Sequence, residues 1–349
     1  MVTPLYDSHC HPTDTVGTLS KIQGLKAAGL CIMATRVTDQ HLVSETADSY
    51  PDKVIPCFGF HPWFVHSIYD DSTSEEAPDK TTHFGKCLYP QPDDAFVQAM
   101  PDLVPLSRYV ESIRQNLIRH PNAMVGEVGL DRSFRLPDPN RPREDSHRHV
   151  LSKYRTETTH QSFILEAQLR LAAEHGRACS IHGVQAHGYL FNEISKLWKG
   201  QEKPSKSALR KMEADEKFRN QSAEPQEKKL EFFDKDKDRT FPPRICLHSY
   251  SGTADMLGSW TNPRIPADIF FSFSQVINGR YDRWQEVVKK VPDHRLLIES
   301  DYHNTELIDD SLEQALHVVC EAKGWEEEFG RKKLEENWRR FVGIDAKKE

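Results

Sequence analysis

The sequence predicts an α/β fold, a TIM-like (β/α)8 barrel with loop insertions, and three observations carry that prediction. Short apolar or β-branched runs alternate with segments of helical periodicity, the runs number eight, and a histidine or carboxylate stands at the end of most of them. Strands that alternate with helices pair in parallel, and eight of them suffice to close a barrel. A doubly wound open sheet buries its strands in the same way. The polar residues separate the two, because a closed barrel brings the C-terminal ends of all its strands to one face.

The first run is Leu5-Tyr6, which leads into Asp7-Ser8-His9-Cys10-His11. The next seven cover residues 30–37, 54–60, 123–130, 178–183, 244–249, 269–273 and 295–300. Between them, apolar positions recur at helical spacing across residues 107–119, 161–174, 283–290 and 312–323. Three stretches exceed a minimal repeat, residues 67–100, 132–149 and 201–240, and are read as insertions into one barrel domain spanning 1–349. The third is rich in Lys, Glu and Asp and almost free of aliphatic periodicity, so it reads as a solvated helical or disordered excursion.

Composition narrows the function classes. The chain has 349 residues, 37% hydrophobic and 28% charged, and no apolar run approaches the roughly 18 residues of a membrane span. A net charge of -7 repels a polyanion at long range and disfavours a non-specific nucleic-acid coat protein. It leaves open an enzyme that grips phosphate through bound cations. Seven cysteines form no C-x-x-C pair, and Cys10, Cys31, Cys57, Cys179 and Cys246 fall in or at the ends of strand-like runs. They read as small core residues of a reducing compartment. The first motif lies so near Met1 that a cleavable signal would remove it, which leads us to expect a cytoplasmic or nuclear protein, not a secreted one.

Chemistry concentrates at the strand ends: His9 and His11, then His61, Glu127, His182, His248 and Asp301. One histidine in such a place is ordinarily hydrogen-bonded packing. Five histidines and two carboxylates at the same structural position point to a metal centre. The His-x-His spacing of His9 and His11 suits a strand, since residues two apart face the same side and share one cation. Imidazoles combined with carboxylates suit Zn, Mn, Fe or Ni, and the carboxylate-rich half also suits Mg.

Several segments together resemble the TatD family of metal-dependent hydrolases and deoxyribonucleases, amidohydrolase-like barrels, over nearly the whole chain. They are Asp7 to His11, Gly59-Phe60-His61-Pro62-Trp63, Gly126-Glu127-Val128-Gly129-Leu130-Asp131, Gln161 through Phe163 to Gln168 with Leu171-Ala172, Ile181-His182, His248-Ser249-Tyr250-Ser251-Gly252 and Glu299-Ser300-Asp301. The resemblance implies a metallo-dependent hydrolase barrel with two divalent cations, Mg, Mn or Zn. It implies that His9, His11, Glu127 and Asp301 hold one cation, and that Glu127 bridges to a second held by His182 and His248. It further implies that Asp301 takes the proton of the attacking water, with Glu127 as the other catalytic residue, and that His61 contacts substrate. The implied substrate is DNA, trimmed from a 3′ end by phosphodiester hydrolysis. Amide or ester hydrolysis of deacylase type on the same site is the alternative, and a protein-interaction role on a metal-binding barrel is a third reading.

The chain departs from the family pattern in two places. Val184 stands where the family has an arginine two residues after the fifth-strand histidine, and Tyr302-His303 replaces a small residue and proline. Arg132 and Arg135, which follow Asp131, are expected to supply compensating phosphate contacts. The charged excursion and the long third loop resemble a fungal branch of the family, described through interaction with a subunit of the anaphase-promoting complex. The charged insertion is therefore the candidate surface for a protein partner, and no membrane partner is expected.

Overall fold

A computed structural model describes residues 2–74, 76–141, 150–208, 210–211, 239–281 and 283–344. Its centre is eight parallel strands: β1 (Tyr6–Cys10), β2 (Gly29–Met33), β3 (Val54–Phe58), β4 (Met124–Asp131), β5 (Cys179–Val184), β6 (Arg244–Leu247), β7 (Asp268–Phe273) and β8 (Leu296–Ile298). They are hydrogen-bonded to one another in chain order. All eight coincide with the predicted runs, and differences are confined to the ends. The second run stops early because the Asp39 carboxylate accepts from the Thr35 and Arg36 amides and pulls the chain out of the ladder. The last stops early because the Ser300 amide turns to Asp7 Oδ1, 3.0 Å away.

That last contact belongs to the seam where the sheet closes. Asp301 N–H donates to the His9 carbonyl at 3.0 Å and His11 N–H to the Tyr302 carbonyl at 2.8 Å. Ser8 Oγ donates to the Ile298 carbonyl at 2.8 Å, and Ser300 Oγ to Asp7 Oδ2 at 2.5 Å. Asp7 is completely buried, and burial pushes its carboxyl up to about 7 against the lowering effect of the Ser300 and His9 hydrogen bonds. The sheet closes, with helices between its strands, as a nearly complete barrel.

Side chains on successive strand positions divide between two cores, as strand geometry requires. Cys31, Met33, Ile55, Cys57, Met124, Ala178, Cys246, Phe270 and Leu297 fill the inside of the barrel's lower end. The opposite faces pack against the surrounding helices α1 (Gln40–Ser49), α4 (Leu106–Arg119), α5 (Thr158–Glu174), α6 (His187–Leu197), α9 (Trp284–Lys290) and α10 (Ile308–Lys323), the single turns α7 (Leu257–Trp260) and α8 (Gln275–Asn278) lying between α6 and α9. The first crossover is not an α-helix but a 3-10 stretch, Pro12–Gly24, broken at Thr15, in a segment whose Pro, Thr and Gly content disfavours a regular helix. A final helix, α11 (Glu327–Val342), plugs the lower end with Trp338, Phe341 and Val342. The basic cluster at residues 331–333, read as helix surface, lies on it; Lys332 and Lys333 pair with Glu328 and Glu336, but Arg331 is buried against Glu313 and Glu327. All seven cysteines are buried and free, as a core role demands. Among the described residues, no helix is long and apolar enough to cross a membrane.

The first two insertions form one lobe. Helices α2 (Lys80–Cys87) and α3 (Asp94–Ala99) come from the first. The pair Leu88–Tyr89 runs antiparallel to Arg155–Thr156, just beyond the second. Phe84, Cys87, Leu88, Phe96, Val97, Met100, Leu136 and Tyr154 share its small core. Tyr154 Oη donates to Asp93 Oδ2 at 2.6 Å, which ties the two segments together. Residues 142–149 of the second insertion and 212–238 of the third lie outside the described residues, and the solvated-excursion reading of 201–240 falls largely there.

Strand β4 pairs Gly129 with His182 of β5, after a register shift between Val125 and Val128. A Cβ on Gly129 would stand 2.1 Å from the His182 carbonyl oxygen, at a φ of 156°. Only glycine permits this approach, and it sets the spacing between Glu127 and His182. Gly129→Ala is expected to destabilise the fold by about 2–4 kcal/mol. A urea midpoint unchanged from the parent would contradict the steric argument.

Candidate metal centre

The upper ends of the strands bring together every histidine and carboxylate named from the strand ends. Glu127 on β4 lies in the middle, almost fully buried. Its Oε1 is 2.7 Å from His248 Nε2, 2.8 Å from His182 Nδ1 and 3.1 Å from His61 Nε2. Its Oε2 faces the other side, 3.3 Å from His11 Nε2 and 3.4 Å from His9 Nε2. Asp301 Oδ1 completes that side at 3.5 Å from His11 Nε2 and 3.8 Å from His9 Nε2. Asp301 reaches this position with a left-handed φ of 54°, and Ser249, next to His248, has a φ of 38°. Non-glycine residues adopt such backbone only where the surroundings compel it.

The donor set fits divalent cations. His9 Nε2 and His11 Nε2 are 3.1 Å apart, and His182 Nδ1 and His248 Nε2 are 3.2 Å apart. Two imidazole nitrogens that each stand ~2.0–2.1 Å from one cation are separated by roughly 3–3.4 Å. His9, His11 and Asp301 form one compact group of donors, and His9, Glu127 and His248 another. His61 also falls within reach of Glu127 and His182, but its tautomer argues for a different part. Trp63 N–H donates to His61 Nδ1 at 3.2 Å, so the neutral ring carries its proton on Nε2 and donates it toward Glu127. We therefore read His61 as a fixed hydrogen-bond donor, not a ligand.

An outer layer orients the rings, and the strand-end reading passed over most of it. Ser180 Oγ is 2.8 Å from His9 Nδ1, and Asp131 Oδ2 is 3.3 Å from His182 Nε2. Asp131 is itself held by Trp63 Nε1 at 2.7 Å, by Ser133 N at 2.7 Å and by Phe134 N at 2.9 Å. Glu299 Oε1 lies 3.5 Å from His248 Nδ1 and accepts from Ser249 N–H at 2.8 Å. Such partners fix the tautomer and direction of a metal-binding histidine. Asp131, Ser249 and Glu299 do lie inside recognisable motifs, so a signal for them existed in the sequence; Ser180 carried none.

Without cations the site balances its charges with protons. Burial works to raise the Glu127 carboxyl, yet the imidazoles of His61, His248 and His9 hold it well below the ordinary range. Burial is likewise overcome at Asp301 by His11, and at Asp131 by His182. Burial works to lower His11, but Asp301 and Glu127 hold it up to about 10. Against the same opposition, Glu127 holds His248 well above its usual value, and Asp131 and Glu127 raise His182. His9 is lowered by burial and by His248, and burial takes His61 down to about 4.

Above the centre opens a cavity of about 400 Å³. His11, His61, Glu127, His182, His248 and Asp301 reach its floor, whereas His9 lies beneath it. Arg36 and Arg280 line the cavity, but Arg132 and Arg135 do not. Arg132 lies 4.5 Å over the Tyr189 ring, with its backbone N–H on the Val184 carbonyl, and Arg135 is exposed. Arg36 is paired with Asp14 at 2.9 Å, while Arg280 has no ion pair among the described residues. Val184 contributes to the wall an apolar side chain where the family arginine was expected. Trp63 stacks on Phe134 at 4.4 Å and 10°, forming an aromatic ledge beside His61.

Comparison with known proteins identifies the family and its fold. The sequence model of the family described as TatD related DNase matches residues 6–343. The chain is 40% identical over 344 residues to Cut9-interacting protein scn1 of Schizosaccharomyces pombe, covering 97% of this chain and 99% of that protein. It is 26% identical over 358 residues to a Saccharomyces cerevisiae protein described as an uncharacterized deoxyribonuclease, again covering 97% and 99%. Among solved structures, the TatD homolog YJJV of Escherichia coli superposes with a TM-score of 0.59 at 16% identity, covering 99% of this chain and 100% of that one, which establishes a shared fold.

Cation binding must displace the protons on His11 and His248, so it is expected to release at least about two protons per chain at pH 7 and to tighten as pH rises. Calorimetry in buffers of differing ionisation enthalpy measures the release, and a value near zero would contradict the charge assignment. In the cation-free chain, the stability due to His11 is fully present below its ordinary value of 6.5 and is lost as pH rises through about 10.

Proposed function

Because the chain belongs to the TatD-related DNase family, we propose that it is a metal-dependent hydrolase that cleaves phosphodiester bonds in DNA, trimming from a 3′ end. One observation carries the reading: the two oxygens of a single buried carboxylate, Glu127, face two different groups of imidazoles. His9, His11, Asp301 and Glu127 Oε2 would hold one cation, and Glu127 Oε1, His182 and His248 a second, with Mg, Mn or Zn as candidates. Such cations supply Lewis acidity at a phosphoryl oxygen and a nucleophile from water at neutral pH.

The remaining work falls to the chain. Asp301, ionised and reaching into the cavity, accepts a proton from water and returns it to the leaving oxygen. His61 donates Nε2–H toward a non-bridging oxygen entering beside Glu127. Arg280, whose guanidinium has no ion pair among the described residues, offers it to a phosphate in place of the arginine that Val184 replaces. The Trp63–Phe134 ledge presents an aromatic face on which a terminal base stacks. The net charge of -7 makes such local contacts necessary, since the chain as a whole repels DNA.

The test is cleavage of a 3′-labelled single-stranded oligonucleotide after chelation, with Mg, Mn or Zn restored. Wild type is expected to trim and Glu127→Ala to be inactive, and Asp301→Asn should lower kcat by about 10²–10⁴. Equal cleavage by Glu127→Ala would refute the proposal. Stoichiometric metal uptake without cleavage, together with turnover of lactone or aminoacyl substrates, would replace it with the amide or ester hydrolase reading. Arg280→Ala is expected to raise KM roughly tenfold with kcat largely kept; an unchanged KM removes Arg280 from substrate binding.

A protein-interaction role has its own support in the 40% identity to a protein named for interaction with Cut9. Loss of a partner complex on deletion of residues 201–240, with Glu127→Ala retaining it, would favour that role.

A further inference from the structure

A second group of metal-ligand side chains lies outside the barrel centre, between the insertion lobe and the barrel. His83 and Cys87 are four residues apart on α2 and so share one helix face. His160 comes from the start of α5. One donor atom from each of the three lies within 4.8 Å of the other two. The rings of His83 and His160 meet edge to face at 5.6 Å.

Backbone carbonyls define the tautomer of both rings. His83 Nε2 lies 2.8 Å from the His66 carbonyl and His160 Nε2 lies 3.0 Å from the Val65 carbonyl. A carbonyl only accepts, so each ring carries its proton on Nε2 and keeps an unprotonated Nδ1. A ring pinned by N–H to a backbone carbonyl, with the other nitrogen free, is the usual arrangement of a metal-binding histidine. The Cys87 thiol stands 3.4 Å from the same His66 carbonyl and is buried.

We propose that His83, Cys87 and His160 form a separate zinc-type site that fastens the insertion lobe to the barrel. Two imidazoles and one thiolate select a borderline-soft divalent cation such as zinc over Mg or Ca. Burial keeps the rings in the neutral, ligating form, lowering His83 and taking His160 down to about 4. It pushes the Cys87 thiol up to about 12, so this sulfur ionises only with a cation beside it. Binding exchanges the thiol proton for a metal–sulfur bond, the proton leaving to solvent. The fourth position falls to water or to His66, the histidine of the clamped turn itself. The turn clamped in this way, Val65–Ser67, lies two residues beyond Trp63 and four beyond His61. A cation here would hold the loop that carries the cavity's donor and its aromatic ledge. The site uses no residue of the barrel centre and stands or falls independently of the nuclease reading.

Cobalt(II) tests it, because the donors named for the barrel centre include no sulfur. The chelator-stripped full-length protein titrated with cobalt is expected to develop a near-ultraviolet thiolate-to-cobalt charge-transfer band that zinc abolishes. The band should persist in Glu127→Ala and vanish in Cys87→Ser, with one equivalent less zinc retained. His160→Gln should weaken the cobalt affinity of the band by at least about tenfold. Circular dichroism checks that each variant folds. Wild-type protein saturated with cobalt and showing no thiolate band overturns the proposal without recourse to any variant. A band that survives in folded Cys87→Ser overturns it equally, and would leave the three side chains as hydrogen-bonding supports of the turn.

Discussion

The open end of this barrel is organised around one buried carboxylate. Moving an ionised carboxylate out of water costs several kcal/mol unless charges and hydrogen bonds replace its hydration. Glu127 keeps its charge because imidazoles from four other strand ends face its two oxygens. Those imidazoles must point correctly, so each needs a partner at its far nitrogen. Ser180 and Asp131 serve His9 and His182, the Trp63 amide serves His61, and the Glu299 carboxylate faces His248 Nδ1 at 3.5 Å. The requirement spreads outward: Asp131 is fixed by Trp63 and Ser133, and Glu299 by Ser249 and Ser272. A polar network of this kind is stable only when every member is satisfied.

The opposite end of the barrel makes this possible. Its interior is apolar and close-packed, with Phe270, Met33 and Met124 under the plug of Trp338 and Phe341. Dense packing holds the strands at a constant separation, and the ends that carry the histidines and carboxylates inherit that spacing. The seam between the first and last strands needs a further device, because few backbone hydrogen bonds cross it. Asp7 supplies one by accepting from the amides of His9 and Ser300 and from the Ser300 hydroxyl. His9, His11 and Asp301 flank that seam, so its closure and the geometry of their shared site are one constraint.

The insertion lobe shapes the rim. Trp63 follows β3 and Phe134 follows β4, and they stack at the mouth while Trp63 also holds Asp131. The lobe grips the turn just beyond Trp63 through His83 and Cys87, and α5 grips it from the barrel through His160. Whatever steadies the lobe therefore also steadies the loop that presents His61.

The sequence by itself determined the barrel and the residues that meet at its centre. Both are local properties: apolar runs of strand length mark buried strands, and the residue that ends a parallel strand lies on the common face whatever the loops do. Tertiary structure alone decided how those residues are used. The His61 tautomer depends on the direction of the Trp63 amide, which no spacing encodes. Arg132 and Arg135 follow a site motif in sequence, yet the chain turns at Val184 and lays Arg132 on Tyr189, while Arg280, far along the chain, lines the cavity. Two insertions separated in sequence by α4 and β4 became one lobe because Phe84 and Phe96 of the first bury against Leu136 of the second and Tyr154 just beyond it. Pairings of this kind depend on side-chain direction and on which surfaces remain uncovered after the barrel closes, and these are settled by contacts between residues distant in the chain.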